Sequence, residues 1–190
     1  MHHIAIFASG SGSNAQQITE YFSTHPDIRV RLILSNNPDA YVLERSENMG
    51  IPSYLFNNKE FYTSESVLKV LQDYEISFLV LAGFLWLVPD YLLKAYPGRI
   101  INIHPALLPK FGGKGMYGEK VHQAVIQSGE KRTGISIHYV NEKYDEGEII
   151  FQASFKIKPD DTPESIAERV HALEYRHFPE VIEEVLKKIT

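Results

Sequence analysis

Two side chains that can take part in chemistry stand two residues apart near the middle of the chain. Asn102 and His104 interrupt the apolar run Ile100–Ile103, and Pro105 follows directly. The β-branched run predicts a buried strand, in which residues two apart point to the same side. Proline cannot donate to a sheet, so the strand should end there with an amide beside an imidazole that can transfer a proton. Since ligands of open α/β sheets bind at this end of the strands, we predict a site here. Either side chain alone could instead satisfy nearby backbone groups.

A second candidate site lies near the amino terminus. Residues 2–8 read as a buried strand and lead into Ser9-Gly-Ser-Gly-Ser-Asn14, after which a helical run extends to about Phe22. Backbone N–H groups at a helix start attract anions, and glycines let an anion approach closely, so this layout predicts a phosphate cradle. The alternative is a tight strand-to-helix turn capped by Ser13 or Asn14.

The same loop also fits the dinucleotide pattern G-x-G-x-x-A through Gly10, Gly12 and Ala15. A dinucleotide site expects an acidic residue after the second strand, where it would bind a ribose hydroxyl. Here the second strand, 28–34, is followed by Ser35-Asn36-Asn37-Pro38, which contains no carboxylate. A single phosphate is therefore favoured over a dinucleotide.

Predicted strands and helices alternate along the chain. Strands are expected at 2–8, 28–34, 52–56, 77–81, 134–140 and 148–157, and one more ends before Pro105. Helices are expected at 39–48, 60–74, 89–95 and 119–128, in addition to the helix that extends to about residue 22. A long terminal helix begins at Thr162-Pro163-Glu164. This order predicts an α/β fold, namely a doubly wound, mostly parallel, Rossmann-like sheet with right-handed crossovers. Its last two strands are expected to form an antiparallel pair before the long terminal helix. No linker is evident, so 1–190 is predicted to be a single domain.

Composition narrows the class of protein. The 190 residues are 44% hydrophobic and 23% charged, which is typical of a soluble domain with a sizeable core. The net charge of −5 argues against binding to nucleic acid or an anionic membrane. The chain contains no cysteine, which excludes disulfides and thiolate chemistry. Because no signal peptide or membrane-spanning run is present, a cytoplasmic location is expected.

Three motifs together resemble the folate-dependent formyltransferases. They are Asn102-x-His104-Pro105 followed by Leu-Leu-Pro109, the loop Gly10-Ser-Gly-Ser-Asn14, and Asp145 just past the 134–140 strand. The resemblance extends from the first strand to the terminal helix and is strongest to the purine-synthesis branch of the family. It implies a formyltransferase fold and transfer of a formyl group from 10-formyltetrahydrofolate to the amine of glycinamide ribonucleotide. It implies no metal.

The resemblance also assigns residues to roles. Catalysis falls to Asn102, His104 and Asp145, and the Asp145 carboxylate is expected to raise the pKa of His104. The residues that the resemblance assigns to the two substrates are Gly12, Ser13, Asn14 and His171 for the phosphate, Glu174 for the ribose or amine, and Phe84, Leu85, Trp86, Leu87, Val88 and Asn141 for the folate. Without the resemblance, Asp145 would be interpreted as a turn residue. His171 and Glu174 would lie on an exposed helix face, and the apolar residues 84–88 would belong to the core.

Some features depart from the family. Trp86 stands where an arginine is common, which predicts packing against folate in place of a guanidinium contact. The glycine-rich segment 110–118 is longer than in many relatives, and Lys59 is a candidate cation near the folate.

Other functions share parts of the pattern. Methionyl-tRNA formyltransferases have the Asn-x-His-Pro core but normally add a C-terminal domain and need tRNA affinity, which the acidic charge disfavours. Formyltetrahydrofolate hydrolases share the triad and add an N-terminal domain. A non-catalytic nucleotide-binding module would need only the glycine loop. We therefore expect two small-molecule substrates, no nucleic acid or membrane partner, and either a monomer or a homodimer.

Overall fold

A single sheet runs through the protein in the computed structural model, which describes residues 1–189. The sheet has seven strands in the order β3-β2-β1-β4-β5-β6-β7. The strands are β1 His2–Phe7, β2 Ile28–Ser35, β3 Ser53–Leu55, β4 Phe78–Leu81, β5 Ile100–His104, β6 Arg132–Tyr139 and β7 Ile149–Lys156. The first five pair in parallel, while β6 pairs antiparallel with both β5 and β7. The predicted doubly wound sheet with an antiparallel pair at its end is confirmed.

The chain reverses its direction of winding at β1. It moves outwards from β1 through β2 to β3, then crosses to the other side of β1 for β4 and β5. The carboxyl ends of β1 and β4 meet there, with Phe7 opposite Leu81. Such a switch point leaves a crevice between loops that diverge in opposite directions, and ligands of open α/β sheets bind in it.

Helices cover both faces of this sheet. They are α1 Ser13–Phe22, α2 Val42–Asn48, α3 Asn58–Tyr62, α4 Ser66–Asp73, α5 Asp90–Ala95, α6 Glu119–Gln127 and α7 Pro163–Lys188. Alternate residues of β1 enter opposite cores, so that Ile4 and Ile6 pack with α1 and α7 while Ala5 and Phe7 pack with α3, α4 and α5. This alternation follows from the two-residue repeat of a strand buried on both faces.

The prediction of one helix at 60–74 was wrong, because the chain forms α3 and α4 there. Asn57 caps α3 through a reciprocal capping box with Glu60, so the first helix begins earlier than expected. Glu65 then adopts a left-handed conformation with φ of 53°, which a continuous α-helix does not allow. The break lets Phe61 and Val67 enter the same core from separate helices.

The terminal helix α7 begins as its sequence predicts. The Thr162 hydroxyl accepts a hydrogen bond from the Ser165 N–H, and Pro163 occupies the first turn, where its missing N–H costs nothing. Ile166, Val170 and Phe178 form part of the buried stripe of α7 against the sheet. Among residues 1–189, no helix is both long and apolar enough to cross a membrane.

Candidate active site

The structure brings Asn102, His104 and Asp145 together at the carboxyl end of β5. His104 Nδ1 lies 3.5 Å from one Asp145 carboxylate oxygen, and Asn102 Nδ2 lies 3.4 Å from the other. Asn102 and His104 emerge on the same side of the strand, as their spacing predicts. Asp145 arrives from the loop between β6 and β7, since β6 is the next strand in the sheet.

Local backbone geometry directs the Asp145 carboxylate into this cluster. Asp145 has a φ of 56°, in the left-handed region that Asp tolerates better than most residues. Its Oδ2 accepts a hydrogen bond of 2.9 Å from the Gly113 N–H, which ties the glycine-rich segment to the cluster. Gly112 sits so close that a Cβ there would lie 3.1 Å from the Asp145 Cβ. The carboxylate is thus fixed from both sides.

Burial and charge act in opposite directions on this pair. Burial lowers the pKa of His104 below its usual value, and the nearby Asp145 carboxylate only partly offsets this. The predicted increase from the Asp145 charge is present, but desolvation of the ring outweighs it, so the net shift of the His104 pKa is downward. Burial by itself would raise the pKa of Asp145, but interactions with His138, His104 and the Gly113 N–H lower it overall. Asp145 is consequently held as a carboxylate.

His138, on β6, is a member of the cluster that the sequence analysis missed. It pairs with Asn102 across the two strands, and its Nε2 lies 3.1 Å from Asn102 Nδ2. The His138 Nδ1 donates to the Tyr139 carbonyl at 2.8 Å, which leaves Nε2 facing both the Asn102 amide and, at 3.6 Å, Asp145 Oδ1. A signal was present in the sequence: Ser136-x-His138 repeats the polar spacing of Asn102-x-His104 on the neighbouring strand.

His104 is held at its second ring nitrogen as well. Its Nε2 donates to the Phe111 carbonyl at 2.7 Å, while Nδ1 faces Asp145. Both nitrogens therefore face acceptors, a geometry that the imidazolium form satisfies fully. This arrangement also needs residues 111–113 in place, because Phe111 and Gly113 each supply one of the contacts.

A large cavity of about 880 Å³ opens beside the cluster. Asn102, His104 and Asp145 line its wall, and the loop 9–14 lines another part. The segment 113–119 and α7 residues form much of the remaining wall. The cavity is large enough for a drug-sized ligand, and it joins the two candidate sites of the sequence into one.

One end of the cavity has the features of an anion site. Gly12 has a φ of 72° and immediately precedes α1, which leaves the first N–H groups of that helix without intrahelical partners. Asn14 donates to Glu174 Oε2 at 2.8 Å, and His171 Nδ1 lies 3.0 Å from the same oxygen. The hydrogen bond to Glu174 raises the pKa of His171. The four predicted phosphate residues and Glu174 thus all line one cavity, with Glu174 itself buried.

A smaller pocket of about 50 Å³ adjoins the cluster on the other side. Four of the six predicted folate residues line it, namely Phe84, Trp86, Leu87 and Val88. Leu85 lines the large cavity instead. Asn141 lines neither, and its side chain accepts a hydrogen bond from the Lys143 N–H. Lys59 is exposed on α3 and also lines neither pocket.

Trp86 belongs to an aromatic group rather than standing alone. Its ring centroid lies 5.9 Å from those of Phe61 and Tyr62 and 6.0 Å from that of Phe56. The Tyr62 hydroxyl donates to the Leu87 carbonyl at 2.9 Å and so fixes the segment that follows Trp86. Trp86 therefore packs edge-on or tilted against other aromatic side chains and lines the smaller pocket, while its packing against folate stays a prediction.

His122 on α6 is a second cavity residue that sequence reasoning missed. It is 3% exposed, and its Nδ1 has no hydrogen-bond partner among the described residues. Burial lowers its pKa. Nothing in its helical surroundings marks it in the sequence, because α6 packs against α7 only in the folded chain, and His122 lines the cavity together with α7 residues.

Comparison with known proteins defines the class. Residues 2–182 match the model of the formyl transferase family, so the chain belongs to that family. It is 39% identical to phosphoribosylglycinamide formyltransferase of Bacillus subtilis, over 98% of this chain and 95% of that protein. It is 42% identical to the chloroplastic phosphoribosylglycinamide formyltransferase of Arabidopsis thaliana, over 94% of this chain, but spans only 63% of that protein. The crystal structure of phosphoribosylglycinamide formyltransferase from Bacillus halodurans superposes with a TM-score of 0.89 at 37% identity, covering 99% of this chain and 97% of that one.

Proposed function

We propose that this chain transfers a formyl group from 10-formyltetrahydrofolate to the amine of glycinamide ribonucleotide, with residues 1–190 acting as one catalytic domain. The observation that carries the proposal is the cluster of Asn102, His104 and Asp145 on the wall of a cavity that also contains an anion site. A nucleotide-binding module would need the anion site but not the cluster. The named relatives support the same assignment, since they are phosphoribosylglycinamide formyltransferases.

The ribonucleotide is assigned to the large cavity. Its phosphate would accept hydrogen bonds from the N–H groups at Gly12, Ser13 and Asn14, where the helix dipole favours an anion. His171 would add a positive charge, because its pKa is raised. Glu174 uses Oε2 for Asn14 and His171, which leaves Oε1 to accept from a ribose hydroxyl or the amine. This end of the cavity thus sets the position of the nucleophile.

The folate is assigned to the opposite side of the cluster. Phe84, Trp86, Leu87 and Val88 are apolar residues of the smaller pocket, which polar residues such as Lys143 also line, and Leu85 lines the large cavity. Packing of a flat ring against aromatic side chains is favourable through burial and stacking. The formyl group would then lie between the two substrates, next to Asn102 and His104.

The reaction forms one C–N bond and breaks another. The amine attacks the formyl carbon to give a tetrahedral intermediate with an oxyanion, and the bond from that carbon to the folate nitrogen then breaks. Over the reaction the amine loses one proton and the folate nitrogen gains one, which a histidine paired with a carboxylate can support. The formyl oxygen would replace the Phe111 carbonyl as the acceptor of the His104 Nε2–H. Asp145 would stabilise the imidazolium at Nδ1.

Asn102 would be the second donor to the oxyanion. Of its two amide contacts, the one to Asp145 at 3.4 Å is longer than the one to His138 at 3.1 Å. Hydrogen bonds weaken towards the longer distance, so the N–H facing Asp145 is the one most readily given to a developing charge. Removing one such donor typically lowers kcat by about 10²–10³-fold. His138 fixes the other N–H and with it the orientation of the amide.

Single-turnover formyl transfer to glycinamide ribonucleotide tests the proposal. We expect His104→Ala to lower the rate by about 10²–10⁴-fold while both substrates still bind, because the interaction of this ring grows in the transition state. His177→Ala, a half-buried histidine of α7 outside both cavities, is the matched control. Circular dichroism checks the fold of each variant. A folded His104→Ala protein with a near-normal rate would exclude His104 from the chemistry.

A further inference from the structure

The phosphate loop rests on α2, and the contact between them is specific. The Gly10 carbonyl accepts a hydrogen bond of 3.1 Å from the Val42 N–H, at the start of α2. The next carbonyl, that of Ser11, accepts one of 2.8 Å from Arg45 Nε. Gly12 lies directly against Val42, with no room for a side chain between them. Two successive carbonyls of the loop are therefore held on the side of α2.

These two bonds decide where the neighbouring N–H groups point. In a planar trans peptide the C=O and the following N–H point in opposite directions. Fixing the Gly10 and Ser11 carbonyls towards α2 turns the N–H groups of Ser11 and Gly12 away from α2. The cavity lies on that far side, since Ser11 and Gly12 line it and no residue of α2 does. An unheld Ser11 peptide could rotate and present a carbonyl oxygen, which repels an anion.

The Arg45 guanidinium is itself held on three sides. Besides the bond to Ser11, one terminal nitrogen donates to the Gln16 side chain in the first turns of α1. Gln16 in turn donates to Glu20 at 2.7 Å. The Tyr41 ring lies on a further side, 4.8 Å from the guanidinium carbon. A half-buried cation fixed in this way ties α2 to the start of α1 and leaves a positive charge behind the cradle.

We propose that Arg45 is a positioning residue for the ribonucleotide phosphate. It does not touch the phosphate. It holds the Ser11 carbonyl away from the cavity, so that the backbone N–H groups of the cradle face the anion, and its charge adds to their attraction. This inference rests on the proposed function only in naming the ligand, because any phosphate in the cradle would depend on the same two carbonyls.

Arg45→Met removes the donors and the charge and keeps much of the side-chain length. We expect it to raise the KM for glycinamide ribonucleotide by about tenfold, the loss that one charge-assisted hydrogen bond implies, with kcat and the KM for 10-formyltetrahydrofolate within about twofold of wild type. Arg45→Lys restores the charge and one donor and should recover part of the loss. Arg31→Met, an exposed arginine of β2, is the matched control and should change none of these constants.

A substrate without the phosphate separates positioning from general damage. With the 5′-dephosphorylated ribonucleoside, wild type and Arg45→Met should have the same KM, because the cradle then has nothing to bind. An equal loss with both substrates would overturn the proposal, and so would an unchanged KM for the ribonucleotide. If thermal melting shows that Arg45→Met is unfolded, Gln16→Ala replaces it. That variant removes only the outer anchor and should raise the same KM by about threefold.

Ribose 5-phosphate binding, measured by calorimetry, keeps this inference distinct from the proposed reaction. A wild-type protein that binds ribose 5-phosphate but does not formylate glycinamide ribonucleotide would refute the reaction alone. In that case a roughly tenfold weaker affinity of Arg45→Met for ribose 5-phosphate would still support the role of Arg45. If wild type does not bind ribose 5-phosphate, or if wild type and Arg45→Met bind it equally well, the proposed role of Arg45 is overturned.

Discussion

Replacing Gly12 by alanine places one methyl group where the phosphate loop meets α2. The added Cβ would lie 2.3 Å from Val42 Cγ2 and 2.9 Å from the Val42 Cα. The second distance involves backbone, which a rotamer change cannot relieve. Gly12 also has a φ of 72°, a conformation that alanine adopts only with strain.

The two penalties have independent sources. A left-handed conformation costs an L-residue about 1–2 kcal/mol, and an overpacked methyl in a tight contact costs about 1–3 kcal/mol. We therefore expect Gly12→Ala to lower the free energy of unfolding by about 2–5 kcal/mol. The loop can relieve part of this strain by moving, and such a movement displaces the cradle. The KM for the ribonucleotide should therefore rise by at least about tenfold, while the KM for the folate stays close to wild type.

Urea unfolding and steady-state kinetics measure these two effects. Gly10→Ala is the matched stability control in the same loop, because a Cβ there would meet nothing within 4 Å and should change the unfolding free energy by less than about 0.5 kcal/mol. Adding Val42→Ala to Gly12→Ala should restore only part of the stability, since the clash with the main chain of residue 42 and the strain at residue 12 remain. Equal unfolding free energies for Gly12→Ala and Gly10→Ala would refute the reasoning.

Three further predictions concern the charged groups and the oxyanion donor. Asp145→Asn should lower kcat by about 10²–10⁴-fold and move the acidic limb of the pH–kcat profile to lower pH, because the carboxylate raises the pKa of His104 against burial; an acidic limb at the wild-type position would contradict the coupling. Asn102→Ala should lower the single-turnover rate by about 10²-fold or more with both substrates still bound, and a loss of binding with an unchanged rate would remove it from the oxyanion role. His171 has a raised pKa, so its positive charge is present at low pH and disappears as the pH rises through that pKa. The ribonucleotide KM of His171→Gln relative to wild type should accordingly be highest near pH 6 and approach one in alkaline solution, whereas a constant ratio would show that the charge does not act on the phosphate.

The folded protein confirms most of what local patterns predicted, and the error in the helix at 60–74 has a local cause. The apolar spacing around Phe61 and Val67 is continuous, so it predicts one helix. The capping box at Asn57 and Glu60 and the left-handed Glu65 divide it. Hydrophobic periodicity indicates which face of a segment is buried, but it does not indicate whether two buried segments form one continuous helix.

Those parts of the site that lie on one element could be predicted from the order of residues alone. Asn102 and His104 share a side because a strand has a two-residue repeat, and the glycine loop precedes a helix because local turn chemistry requires it. The parts that come from separate elements emerge only when the chain is folded. His138 reaches Asn102 through the register of two antiparallel strands, and Arg45 reaches Ser11 through the packing of α2 on α1. Likewise, burial rather than the Asp145 charge sets the direction of the His104 pKa. Register, packing and desolvation depend on residues far apart in the chain, so no local pattern contains them.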